Sequence, residues 1–358
     1  MRLNTRAVRV AAAAACIAVS LAACTSPGDD TAETSSSASA GSSAAGPDVN
    51  GDGKVIVGVL SPGDLNDNGY YESFVAKAEE FTKSKGWQLI KVGSVNPADA
   101  LNQARNLCRQ KVDLVALGAA ELKDAIPASE ESVCAKSSWY VPSSADIKQT
   151  PKITISRDFI NEVVYATGYA NGLLMKEKNI KKAGYVTGPE ADFSVQAAKA
   201  FKAGIKEVVP DATLVTTYTG DFNDSGKAKE AAQAQVSQGV GALYPYLGGA
   251  TDEVAKFGNT KNLILSTPGT DRCASTSPKF QVSSIFDPGE YFAAALQKFS
   301  DGELKMGVAR EWHIGKDPVP TVKICGGTAA QNTALETFIK NIGDGKVDVD
   351  AQVAKLGA

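Results

Sequence analysis

One histidine serves the whole 358-residue chain. A Ser-His-Asp or Cys-His centre could therefore be built only around His313, which follows Trp312 in a short β-like run and reads as a structural or surface residue. No GxSxG elbow, HExxH pair or Walker loop occurs, so the common hydrolase, zinc-protease and NTPase signatures are missing. No CxxC occurs either, which leaves zinc without its usual ligand spacing. The charge balance, 37 basic against 40 acidic residues, offers no basic stripe for nucleic acid. Acids are plentiful, but no spacing singles out an acid/base pair. Binding therefore outweighs catalysis, with no cofactor expected.

Long apolar runs are also scarce, and the one at the start is short. Arg2, Arg6 and Arg9 precede an apolar stretch at 10–21, too short to span a bilayer. Leu21-Ala22-Ala23-Cys24 follows and resembles a bacterial lipobox. That resemblance implies a signal peptide over 1–23, cleavage before Cys24 and a diacylglycerol on its thiol. Without residues 1–23 the chain has three fewer arginines, 34 basic against 40 acidic, a net charge of −6. Residues 24–53 are Ser, Ala, Gly, Thr and Asp with little to bury, the composition of a disordered tether. Asp48, Asn50 and Asp52 have the opening spacing of a calcium loop, but Val59 stands at the twelfth position, where the bidentate Glu belongs. The stretch reads as a turn.

Four cysteines remain beyond Cys24: Cys108, Cys134, Cys273 and Cys325. An even set outside the cytoplasm suggests two disulfides. Of three pairings, Cys108–Cys134 with Cys273–Cys325 is favoured, since each bond then stays within one half of the chain.

The rest of the chain is strand, loop and helix in repetition. Val55, Ile56, Val57, Val59 and Leu60 form a β-branched run of the kind buried in parallel sheets. A polar loop over 61–69 carries Asp64, Asn66, Asp67 and Asn68. Tyr70, Phe74, Ala78 and Phe81 then recur at helical spacing. Strands are predicted at 87–92, 112–118 and 139–141, with helices over 96–110 and about 123–135. The pattern restarts with a helix over 162–177, a strand at 183–188, and a helix bearing Phe193, Ala197 and Phe201. Strands at 214–218 and 241–246 follow. This internal duplication predicts two α/β lobes facing each other across a cleft, with loops at strand carboxyl ends placed to hold a ligand. Strands at 263–266 and 280–285 and a helix over 288–299 come next. Residues 309–314 and 321–324 read as a short β-pair in a tail that returns to each lobe. The expected division is 54–158 with 284–306 for the first lobe and 159–283 with 307–358 for the second.

Three stretches resemble the BMP (basic membrane protein) family of solute-binding lipoproteins. Asn66-Asp67-Asn68-Gly69-Tyr70-Tyr71-Glu72-Ser73 is similar to its first-loop motif. Residues 162–172, with Tyr165, Tyr169 and Gly172, resemble its Tyr-x-x-Ala-Tyr-Leu-Ala-Gly segment. Gly220-Asp221-Phe222-Asn223-Asp224 and the Lys227-to-Ala232 run resemble its Trp-x-Asp-x-x-Lys-Ala-x-Glu-Ala-Ala stretch. The resemblance implies a type I periplasmic-binding-protein-like fold, two doubly wound parallel-sheet lobes joined by a hinge. It implies a monomeric receptor outside the cytoplasmic membrane that captures a nucleoside or nucleobase-like solute and docks on an ABC permease with its ATPase. A sugar receptor and a sensor for a membrane signalling protein are the alternatives. By position Tyr70 stacks on the ligand ring with Tyr71 beside it, and Asp67 hydrogen-bonds the ligand. Asp192 and Phe193 face them from the second lobe, Tyr246 lies at a strand exit, and Asp271 stands where the family holds ribose hydroxyls. Asp287 replaces the family's usual Lys.

Overall fold

The computed structural model describes residues 47–143 and 147–356. The expected signal peptide, the expected lipid anchor at Cys24 and most of the expected tether lie outside the described residues.

The buried β-branched runs assemble two sheets. The first contains β1 (Ile56–Leu60), β2 (Gln88–Val92), β3 (Leu114–Leu117), β4 (Ser138–Ser143), β5 (Thr154–Asp158) and β11 (Ala309–Trp312), in the order β11-β5-β4-β3-β1-β2, all pairs parallel. The second contains β6 (Lys182–Thr187), β7 (Thr213–Tyr218), β8 (Ala242–Tyr246), β9 (Ile264–Gly269), β10 (Val282–Ile285) and β12 (Thr321–Ile324), in the order β12-β10-β9-β8-β6-β7. Only β12 there runs antiparallel, against β10. Each sheet thus has its first strand between its second and third, so strand order reverses beside that strand. Open α/β sheets hold ligands at such a switch point, outside the strand carboxyl ends.

The two stretches expected to pair with each other do not. β11 joins β5 in the first sheet and β12 joins β10 in the second. Residues 309–312, assigned with the second lobe from sequence, therefore belong to the first sheet. β11 is four residues, Ala-Arg-Glu-Trp, with only Trp312 buried, and so short a strand carries no local signal of which sheet edge it joins. The helix expected over about 123–135 is instead a 3-10 run over Ala120–Glu130 and a turn at Ser132–Cys134. Pro127 inside that run lacks the N–H an α-helix would need.

Helices cover both sheets. α1 (Tyr70–Lys85) buries Phe74, Val75 and Ala78 and stops at Gly86, whose φ of 68° suits a residue without Cβ. α7 (Pro288–Ser300) starts at Pro288 after an Asp287 cap and packs on α1, with Phe292 stacked 4.5 Å from Phe74 and 4.8 Å from Tyr140. α2 (Ala100–Arg109) also flanks the first sheet. α3 (Ile160–Glu177) and α4 (Asp192–Lys206) pack face to face over the second, beside α8 (Ala329–Gly343) and α9 (Val349–Ala354); α5 (Ser225–Ser237) and α6 (Thr251–Thr260) cover its other face. The chain crosses between sheets at 158–160, 285–288 and 312–321. At the first and third crossings His313 stacks on Phe159 at 4.1 Å and sits 2.9 Å from a Glu162 carboxylate oxygen. The second Glu162 oxygen accepts from the Ile314 amide. The lone histidine is structural.

The cysteines bond as Cys108–Cys134, tying α2 to the turn before β4, and Cys273–Cys325, tying the loop after β9 to the end of β12. Residues 47–53, expected within the tether, are held. Asp48 accepts from the amides of Gly51, Asp52 and Gly53 at 2.8–3.1 Å, which commits its oxygens to a turn. Asn50 donates from its amide and side chain to Asp113 Oδ1, and Asp113 Oδ2 accepts from the Ile56 amide at 2.8 Å. Asp113 is fully buried. We expect Asp113→Ala, which leaves these donors without a partner, to lower unfolding stability by about 2–3 kcal/mol, read from the midpoint of a urea melt.

Candidate functional site

The carboxyl ends of both sheets face one cavity of about 340 Å³, within the size range of small-molecule sites. The first sheet supplies Tyr70 and Tyr71 after β1, Glu121 after β3, Pro142 on β4 and Asp158 at the end of β5. The second supplies Phe193 after β6, Phe222 after β7, Tyr246 at the end of β8, Gly269 at the end of β9 and Phe286 after β10. Each wall is thus a set of strand exits.

Local sequence explains how the aromatic wall is held. Asp67 accepts from the amides of Gly69, Tyr71 and Glu72 at 2.9–3.3 Å. These are orphan donors at the start of α1, and a short acid satisfies them. Burial raises the Asp67 carboxyl above its ordinary range, and the three amides pull it partly back. Asp67 thus fixes the first turn that presents Tyr70 and Tyr71. The Tyr71 ring lies over Gly63, where an added Cβ would come within 2.2 Å of it. Tyr70 meets Tyr71 edge-on at 5.5 Å and Phe286 of the opposite wall at 6.4 Å. Tyr246 stacks on Tyr185 at 5.7 Å and reaches Phe286 at 6.0 Å. Phe193 lies 6.2 Å from Phe222. Six aromatic rings from both sheets therefore line one space.

Two carboxylates share it. Glu121 accepts from the Tyr71 hydroxyl at 3.3 Å. Lost hydration raises its carboxyl and that hydroxyl lowers it, while the solvent it still meets at the cleft mouth limits the effect. Asp158 lies deeper, and no side chain among the described residues forms an ion pair with it. Burial pushes its carboxyl from 3.8 up to about 7, partly offset by its own backbone amide. Between those values the folded state holds a proton the unfolded state has lost. The stabilisation present below 3.8 is therefore lost as pH rises through about 7. Asp158→Asn removes this dependence. Its melting temperature should match the parent's near pH 4 and exceed it by several degrees near pH 8, measured by calorimetry without ligand. A constant difference across that range would contradict this assignment.

The structure brings together Tyr70, Tyr71, Phe193 and Tyr246 of the residues expected from sequence, and leaves four acids outside the cavity lining. Asp67 caps α1. Asp192 opens α4 and is exposed. Asp271 accepts from the Cys273 amide at 3.1 Å and pairs with Lys323 at 2.6 Å. Asp287 accepts from the Gly289 amide at 2.9 Å and from the Ser73 hydroxyl, so it caps α7 and joins it to α1. Sequence reasoning missed Glu121, Asp158, Phe222 and Phe286. Asp158 ends β5, Phe286 follows β10, and Glu121 and Phe222 lie in the loops after β3 and β7; for these two loop residues, a place after a strand's carboxyl end was the available signal.

A family model for PnrA-like ABC transporter substrate-binding proteins matches residues 54–342. The chain is 26% identical over 234 residues to a protein of Lactococcus lactis subsp. cremoris called ABC transporter nucleoside-binding protein BmpA, covering 61% of this chain and 65% of that one. It is 25% identical over 215 residues to a CD4+ T-cell-stimulating antigen of Listeria monocytogenes, covering 59% and 58%. The match thus spans less than two thirds of these relatives' lengths. Among solved structures, an ABC transporter solute-binding protein from Conexibacter woesei superposes with a TM-score of 0.64 at 19% identity, covering 82% of this chain and 98% of that one. A solute-binding protein from Aeropyrum pernix gives 0.63 at 14% identity, covering 84% and 91%. Both likenesses establish the type I binding-protein fold.

Proposed function

The chain belongs to the Bmp family of PnrA-like ABC transporter substrate-binding proteins, and on that premise we propose that it is the extracytoplasmic receptor of an ABC importer. It captures a nucleoside or nucleobase-like solute between its two lobes and delivers it to a permease driven by a cytoplasmic ATPase. A lipid on Cys24 tethers it to the membrane, and it works as a monomer. The observation that carries this reading is the cavity of about 340 Å³ with six aromatic rings contributed by both sheets. Flat rings and a slot between them suit a planar heterocycle, since stacking a base on an aromatic side chain contributes about 1–3 kcal/mol.

Capture follows from the chain crossings. Asp158 and Phe286 each sit at one, so a rotation about the crossings moves the walls while these two groups stay near the axis. Closure then brings Phe193, Phe222 and Tyr246 toward Tyr70 and Tyr71, and the closed form is what the permease engages. The receptor performs no chemistry of its own.

A thermal-shift screen of residues 47–358 against nucleosides, bases and sugars tests the reading, because a ligand that binds only the folded state raises the melting temperature. A shift with one or more nucleosides or bases is expected. A shift with sugars alone would replace the nucleoside reading by a sugar receptor, and a shift with none would remove the proposed solute class.

A further inference from the structure

We propose that the cleft selects a positively charged ring compound: a nucleoside-like solute carrying a quaternary or protonated nitrogen. The inference rests on the cleft being the ligand site, and it names the charge of the ligand held there.

The first observation is the charge inventory of the cavity. Its ionisable lining is Glu121, Asp158 and Lys123, apart from tyrosine hydroxyls. Lys123 is exposed at the rim and forms no ion pair with either acid among the described residues. Asp158 and Glu121 are the carboxylates that act on the Tyr70 and Tyr246 hydroxyls, and Glu121, Asp67 and Asp221 act on that of Tyr71. The cavity lining thus carries two acids against one exposed cation, Lys123, which pairs with neither. Asp271 is the opposite case: it is neutralised by Lys323 outside the cavity.

The second observation is the ring geometry. Tyr70, Tyr246 and Phe286 form a tilted triad joining both sheets, with centroids 6.0–6.4 Å apart along its two Phe286 edges. Phe193 and Phe222 add a stacked pair on the second wall. Aromatic faces attract cations through their quadrupole, more strongly when water is excluded. A carboxylate beside such faces adds opposite charge, and a bound cation favours the ionised form of Asp158 over the protonated one. An anionic or phosphorylated solute would meet two acids that no cation among the described residues pairs, and a neutral one would bring neither acid a counter-charge. A cation is the ligand that satisfies both features.

Calorimetric titration of the wild-type protein with matched probes tests this. 1-Methyladenosine and nicotinamide riboside are cationic at neutral pH; adenosine and uridine are neutral. The cationic pair should bind at least about tenfold more tightly, and the advantage should shrink with added salt. Asp158→Asn should bring the ratio of cationic to neutral affinity toward one, and Glu121→Gln should reduce it as a second, mouth-located variant. Equal binding of both pairs, or a preference retained in both variants, would overturn the charge selection while leaving a nucleoside receptor intact. Binding of 1-methylnicotinamide or thiamine, with no nucleoside bound, would support charge selection and overturn the nucleoside reading. A protein that bound none of these probes would contradict both.

Discussion

Replacing Gly204 by valine should cost at least about 3 kcal/mol of stability and lower the melting temperature by on the order of 10 °C. Gly204 lies on α4 where it crosses α3. A Cβ built there comes within 1.9 Å of the Tyr165 carbonyl oxygen and 2.8 Å of the Tyr169 amide. The reciprocal position is as tight, since a Cβ on Gly168 falls 2.2 Å from the Phe201 carbonyl. The two helices thus touch backbone to backbone, and no side-chain rotamer can relieve an added atom. Repacking would have to part α3 from α4, and these helices bury Val163, Val164, Phe201 and Ile205 beneath the second lobe. Gly204→Ala should fall between parent and valine, because one methyl is the smallest wedge. Thermal melts of the three proteins would check the series. A valine variant with the parent's melting temperature would mean that this crossing is not a tight constraint.

Tyr70→Ala should weaken the captured solute about 10- to 100-fold. The ring is half-buried, faces Phe286 across the cleft and is braced by Tyr71. Its removal loses one stacking face, about 1–3 kcal/mol, and admits water between the walls. Tyr70→Phe separates ring from hydroxyl. The ring lines the cavity and its hydroxyl feels Asp158 and Glu121, so Phe should keep most of the affinity. Titrations of both variants with whichever solute the thermal screen identifies provide the check. Unchanged affinity in Tyr70→Ala would place the stacking elsewhere, with Tyr246 the next ring to truncate.

Much of this architecture can be read from the chain, and the unreadable parts share a cause. Runs such as Val55 to Leu60 and Ala183 to Val186 are β-branched or apolar throughout, so their burial in parallel sheets is written locally. The aromatic residues at strand exits, Tyr70, Phe193 and Tyr246, could be placed in the cleft because strand position decides which end a loop leaves. The acids could not. Asp67 and Asp287 have the residue type that binds a polar ligand, and the same type satisfies free amides at a helix start; both took the second role. Asp158 required knowing that β5 continues to 158, when the apolar signal stops at Ile155. Phe286 required knowing that the chain crosses between lobes there. Both depend on contacts far apart in sequence, as does the assignment of β11 to the first sheet.

The central claim is that one solute is held between the two sheets. Hydrogen–deuterium exchange, with and without a solute found by the screen, tests it most directly. Slowed exchange is expected in the 61–71 and 118–123 segments of the first lobe, together with 188–193, 220–223 and 246–250 of the second. Protection confined to one lobe, or centred on the α8 surface away from the cleft, would contradict it.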